Sequence, residues 1–138
     1  MKTRNAIALM LLISLFSLSG CEKDSSSSET TVSRSTYVGN WSVQETWVKF
    51  SYEARIEADS KSSSGVLIYN FAGIGTSYPP ATALVSGNTI TLDPNQTIGD
   101  GLVVNGSGTL SGTTSIKWNY TINDGATLIH VTSTFTKH

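Results

Sequence analysis

A single cysteine, Cys21, stands among the 138 residues. No disulfide can form within the chain, so the fold is held without one. Histidine is almost as scarce, with His130 on an apparent strand and His138 at the C-terminus. Neither belongs to an H-x-x-x-H or Cys/His pattern, which excludes a histidine-rich metal site. Charged residues make up only 14% of the chain. No clustered Lys and Arg offer a nucleic-acid surface. The longest apolar run, Ala6 to Leu18, is interrupted by Ser14 and Ser17. It is shorter than the roughly 20 residues that a membrane-spanning helix requires.

What is present begins with an export signal. Lys2 and Arg4 precede the apolar run, and small residues follow it at Ser19 and Gly20. That is the layout of a secretory signal peptide. Leu18-Ser19-Gly20-Cys21 resembles the lipobox of bacterial lipoproteins: an aliphatic residue, two small residues, then cysteine. The resemblance implies a diacylglyceryl group on the Cys21 sulfur, cleavage before Cys21 and acylation of the new amine. Several acyl chains make attachment stable where one is marginal. Residue 22 is Glu and not the Asp that resembles an inner-membrane retention signal, which favours the outer membrane. Glu22-Lys23-Asp24 is similar to the charged surface-export signals of Bacteroidota lipoproteins. The periplasmic face and the cell surface both remain open.

Residues 1–20 are thus expected to be a signal peptide, residues 21–36 a lipidated cysteine with a flexible Ser/Thr-rich tether, and residues 37–138 one β domain. The tether, with Val32 as its single aliphatic residue, cannot bury enough apolar surface to offset its ordering entropy. Without Lys2 and Arg4 the mature chain keeps seven basic against ten acidic residues, a net charge of −3. The domain suffices for one core.

That domain reads in period two, with turn residues at short intervals. Strands are expected at 39–48, 50–58, 66–72, 81–85, 89–92, 102–110, 114–122 and 127–136. Gly73 to Pro80 forms the longest loop, because Pro79-Pro80 excludes helix and interior strand. Asp93 to Gly101 forms a second. Gly106 and Gly108 are expected to relieve crowding where a strand bends. Consecutive hairpins make a meander, and eight strands close most simply into an up-and-down antiparallel barrel. A two-sheet β-sandwich is the alternative.

Gly39-Asn40-Trp41 is similar to the Gly-x-Trp of lipocalins, whose tryptophan packs across one barrel end. With Ile68-Tyr69-Asn70-Phe71, Gly87 to Leu92, Gly106 to Gly112 and Trp118-Asn119-Tyr120, it resembles the small lipocalin-like lipoproteins of Bacteroidota. The resemblance spans nearly all of 37–138. It implies a barrel at the cell envelope and no reaction.

Chemistry-bearing constellations are sparse. Gly108 to Gly112 is no Gly-x-Ser-x-Gly elbow, and no helix follows Gly106-x-Gly108 to receive a phosphate. With no acid–base set, the chain is expected not to be an enzyme and to carry no cofactor beyond the lipid on Cys21. Asp93, Asn95 and Asp100 lack the spacing of a calcium loop, and turn chemistry accounts for them. Glu45 shares a face with Trp41, Val43 and Trp47, so it is either paired (Arg55 is a candidate), at a wet barrel end, or a polar ligand contact. The candidate ligand-binding residues are Trp41, Glu45, Trp47, Tyr52, Tyr69, Tyr78, Trp118 and Tyr120. Most aromatics serve a core, whereas Tyr78 on its long loop suits binding. Two functions follow: a lipid-anchored barrel that binds a small apolar or amphipathic molecule at one end, or a scaffold contacting an envelope protein or glycan through loops and outer surface. A crystal structure with a solidly filled interior would rule out the first.

Overall fold

The computed structural model describes residues 31–138. The expected signal peptide, Cys21 and the tether as far as residue 30 lie outside the described residues. A one-turn helix, α1 (Arg34–Tyr37), is followed by β1 (Gly39–Glu45), β2 (Tyr52–Ala58), β3 (Gly65–Tyr69), β4 (Ala81–Ser86) and β5 (Thr89–Leu92). Then come β6 (Gln96–Ile98), β7 (Leu102–Ser111), β8 (Ser115–Asn123) and β9 (Leu128–Lys137). All neighbours are antiparallel, in the order β5-β4-β3-β2-β1-β9-β8-β7-β6, and a β5–β7 pairing closes the ring. The all-β class and the eight-position up-and-down barrel are as expected.

Period two sets which residues face in. On β2, Tyr52, Ala54 and Ile56 are buried while Glu53 and Arg55 are exposed. On β8, Ile116, Trp118, Tyr120 and Ile122 are buried between exposed Lys117 and Asn119. Exposed His130, Thr132, Thr134 and Thr136 line the outside of β9. A membrane-spanning barrel carries an apolar band outside and polar groups within. Here the arrangement is reversed: polar side chains cover the outer wall and mostly apolar ones fill the inside, as in a barrel whose wall faces water. Each large apolar side chain removed from water there contributes about 1.5–3 kcal/mol.

Nine strand segments fill eight barrel positions because β5 and β6 lie end to end beside β7. Thr89, Ile90 and Thr91 face Thr109, Gly108 and Ser107, and Gln96, Thr97 and Ile98 face Val104, Val103 and Leu102. The expectation of a loop from Asp93 to Gly101 is corrected here: Pro94 interrupts one barrel strand without ending it. Asn95 takes a φ of 54° in that interruption. Gln96 then bonds both main-chain groups of Thr82 on β4, at 2.7 Å each. Its side-chain oxygen thereby stands in for a main-chain partner at Thr82 N, while Thr82 O also accepts from Asp93 N at 3.0 Å. The expected third strand also stops early, because Phe71 to Gly73 turn into a 3-10 helix. The first ends at Glu45 and the second starts at Tyr52.

Crowding explains two glycines. A Cβ on Gly106 would collide with the Asn119 carbonyl and Tyr120, and one on Gly108 would meet Ile116 and Trp118 at 2.8 Å. β7 therefore passes directly under the bulkiest side chains of β8.

The two ends differ. At one, α1 folds across the opening: Tyr37 is fully buried and its hydroxyl donates to Gly87 O at 2.8 Å. Trp41 Nε1 donates to Tyr37 O at 2.9 Å, and Lys137 Nζ lies over the Trp41 ring and donates to Thr36 O. Arg34 reaches the carbonyls of Asp59, Ser62 and Gly65. The other end carries the longer loops, 46–51 and 70–80.

Candidate functional site

Among the described residues, the main internal polar cluster lies at the loop end. β1 ends on Glu45, whose inward parity follows from Trp41 and Val43. Glu45 pairs across the ladder with Ser133 on β9, and Ser133 pairs with Trp118 on β8. The three thus form one cross-strand row, with side chains on a common inner face. Tyr52 and Tyr120 both donate to Glu45 Oε2, at 2.7 and 2.5 Å. Burial raises the Glu45 pKa above its ordinary value, and the two tyrosine hydrogen bonds pull it partway back. Burial pushes the Tyr52 and Tyr120 hydroxyls up as well, reinforced by their neighbours in the cluster.

Three polar atoms of this row are buried without a hydrogen-bond partner: Glu45 Oε1, Ser133 Oγ and Trp118 Nε1. An unpaired buried polar group costs about 1–3 kcal/mol. Finding three side by side marks the place where the interior departs from an optimised core.

Phe71 packs against the rings of Trp118 and Tyr120, two members of this cluster. The loop that follows β3 turns inward, and the Phe71 ring lies 4.8 Å from Tyr120, 5.3 Å from Trp118 and 6.4 Å from Phe135, centroid to centroid. Only 1% of Phe71 is exposed. Its neighbours Asn70 and Ala72 both hold left-handed backbone, at φ 59° and 58°. For alanine that conformation costs about 1–2 kcal/mol. Asn70 is held by Nδ2 donating to Glu53 O and by Oδ1 accepting from Gly75 N. Gly73 packs on the Tyr52 ring.

The structure thus gathers Glu45, Tyr52, Trp118 and Tyr120 of the candidate residues, while Trp41 lies at the α1 end beneath Tyr37. Trp47 packs half-buried on the core's edge. Tyr69 faces outward under the Arg55 guanidinium, 4.5 Å from its centroid. Tyr78 is half-buried on the long loop, its hydroxyl on Asp100 Oδ1 at 2.6 Å, a carboxylate contact that raises the phenol's pKa. Arg55 is not the partner of Glu45: it sits on the opposite face of β2 and pairs with Glu57 at 3.0 Å. Strand parity forbids the other pairing.

Sequence reasoning passed over Ser133 as a site residue and counted Phe71 among the aromatics that mostly serve a core. A hydroxyl in the otherwise apolar inward series Ile129, Val131, Ser133, Phe135 was the available signal for Ser133. Asn70 before Phe71, a residue tolerant of left-handed backbone, was the signal for the plug.

Grooves also cross the outer wall. One of about 300 Å³ is lined by Asn40, Glu53, Arg55, Tyr69, Asn70 and Thr76 on β1, β2, β3 and the β3–β4 loop. Another, of about 470 Å³, runs over β1, β9 and β8 among Gln44, Thr46, Lys117, Asn119 and Thr132. Among the described residues no group of His, Cys, Asp and Glu could hold a metal ion.

No family model matches the chain, and no curated protein matches it. In fold it is similar to a redesigned β-barrel, at 17% identity and a TM-score of 0.53, over 77% of this chain and 95% of that one. It is also similar to a candidate outer membrane protein of Bacteroides fragilis, at 17% identity and a TM-score of 0.43. That match covers 76% of this chain and 52% of the other, so the chain spans about half that protein's length. The likeness to the redesigned barrel concerns the fold alone, and the lipocalin-like family remains a resemblance.

Proposed function

We propose that this protein is a non-enzymatic recognition barrel of the cell envelope. It is held at the outer membrane by lipid on Cys21 and contacts another envelope component, protein or glycan, through its outer wall and loops. The observation that carries this reading is the filled interior: Trp41, Trp118, Phe71 and Phe135 are all at or near zero exposure. Such a barrel is a rigid scaffold, and its surface is what a partner meets. The groove around Tyr69 and Arg55 adds an aromatic face and planar polar groups on that surface.

The test is photo-crosslinking in cells from a benzophenone amino acid placed at Tyr69, Ser77 or Ser107 of the full chain. A discrete adduct from one position, lost with Cys21→Ser as the protein leaves the membrane fraction, is the expected result. Smears or nothing from all three positions in several growth conditions would sink the reading.

A second reading, a small amphipathic ligand bound at the loop end, keeps one specific observation in its favour. The row Glu45, Ser133 and Trp118, each with an unpartnered buried polar atom, faces inward, and its Trp118 indole packs on the Phe71 plug.

A further inference from the structure

We infer that Phe71 is a built-in occupant of a ligand site, and that the barrel takes a single-ring phenol in its place. This rests on the second reading above and gives that ligand a class. The ring environment comes first. Phe71 meets Trp118, Tyr120 and Phe135 in tilted and edge-on contacts. Withdrawal of its side chain leaves a ring-sized apolar space walled by aromatic faces, the surroundings in which another aromatic ring is best held.

The polar row selects the substituent. Trp118 Nε1 is a donor only, Ser133 Oγ either, and Glu45 Oε1 an acceptor only once the carboxyl ionises, which burial shifts to higher pH. A group that satisfies all three must both accept and donate, which is what a hydroxyl does. A ligand carboxylate would face an ionised Glu45 with like charge. An ammonium would pair with Glu45 and leave the indole N–H without an acceptor. A ring without a polar group would leave all three unmet.

The backbone explains how the plug gives way. Asn70 and Ala72, both left-handed, flank Phe71, and residues held in such conformations cluster at ligand clamps and switch regions. Strain in the closed loop lowers the cost of leaving it, and a ligand shifts the loop only as far as it prefers the open form. The loop is long enough to swing, running from Asn70 to Pro80 between β3 and β4. Its outer portion is tied to the barrel through Tyr78 on Asp100.

The experiment is isothermal titration of the full lipidated chain in detergent with 4-methylphenol, and with toluene as the ring lacking the hydroxyl. Saturable 4-methylphenol binding to the wild type is expected, at least tenfold tighter in Phe71→Ala or, should that variant not fold, in Phe71→Leu. Ala72→Gly relieves strain in the closed loop and is expected to weaken binding several-fold. Ser133→Ala should erase the preference for 4-methylphenol over toluene. If the wild type binds neither probe, or Phe71→Ala binds both equally, the space is a mere cavity and the proposal falls. If an amphipathic probe such as lauric acid binds with an affinity that Phe71 variants leave unmoved, the plug is wrong while a ligand-binding barrel stands. If nothing binds any variant, both fall.

Discussion

Glu45 is a residue whose chemistry the fold has altered. Its carboxyl is partly desolvated, and the resulting upward pKa shift favours the protonated form in the folded state. A raised folded value means that the native state binds more protons than the unfolded chain across the interval between the two values. The group's contribution is therefore fully present below the ordinary carboxyl range, about pH 4. It is lost as pH rises through the raised value. Glu45→Gln keeps an oxygen to accept from Tyr52 and Tyr120 and carries no charge. Its melting temperature relative to wild type should rise between pH 4 and pH 8. A difference that stays flat over that range would show that the charge is not penalised by burial. The inward position of Glu45 was legible from its parity with Trp41 and Val43. Its partners were not, because Tyr120 lies 75 residues away and reaches it only after the ring closes.

At the scale of elements, the strands were the legible part. β2, β8 and β9 alternate so regularly that their inward faces follow from the sequence. Three elements escaped that logic. β6 is three residues long and follows a proline, so period two had no room to appear. The Phe71 plug continues an apolar run; Asn70 hints at a break, but tertiary packing decides that the chain leaves the strand there. α1 is a single turn in a segment of tether-like composition, yet Tyr37, Trp41, Arg34 and Lys137 knit it to the barrel. If α1 is a true cap, its anchor is measurable. Tyr37→Ala should cost about 3–5 kcal/mol, as truncation of a large buried side chain does. Tyr37→Phe removes only the hydroxyl's bond to Gly87 and should cost about 1 kcal/mol. Urea denaturation of the full chain separates the two. A loss below about 1 kcal/mol for Tyr37→Ala would make α1 an ornament and not a lid.

For the whole molecule, a lipid on Cys21 would give the two ends of the barrel a direction relative to a membrane. α1, the start of β1 and the end of β9 share one end, where His138 N bonds Asn40 O. A lipid on Cys21 would draw that end toward the bilayer. The opposite end, with the Phe71 plug, Tyr78 and the exposed Phe50 and Leu128, would then point away from the bilayer. The ten residues of β7 span roughly 33 Å at about 3.3 Å each, shortened by strand tilt to some 25 Å of height. That height exceeds the reach of quenchers confined to a bilayer. In vesicles, a fluorophore at Asn88 beside the capped end should be dimmed more by spin-labelled headgroups than one at Ser77 on the distal loop. Equal quenching would mean that the barrel lies on its side, with its outer wall against lipid. The groove around Tyr69 would then compete with the bilayer for its partner, and a surface-recognition role would have to move to the face turned toward solvent.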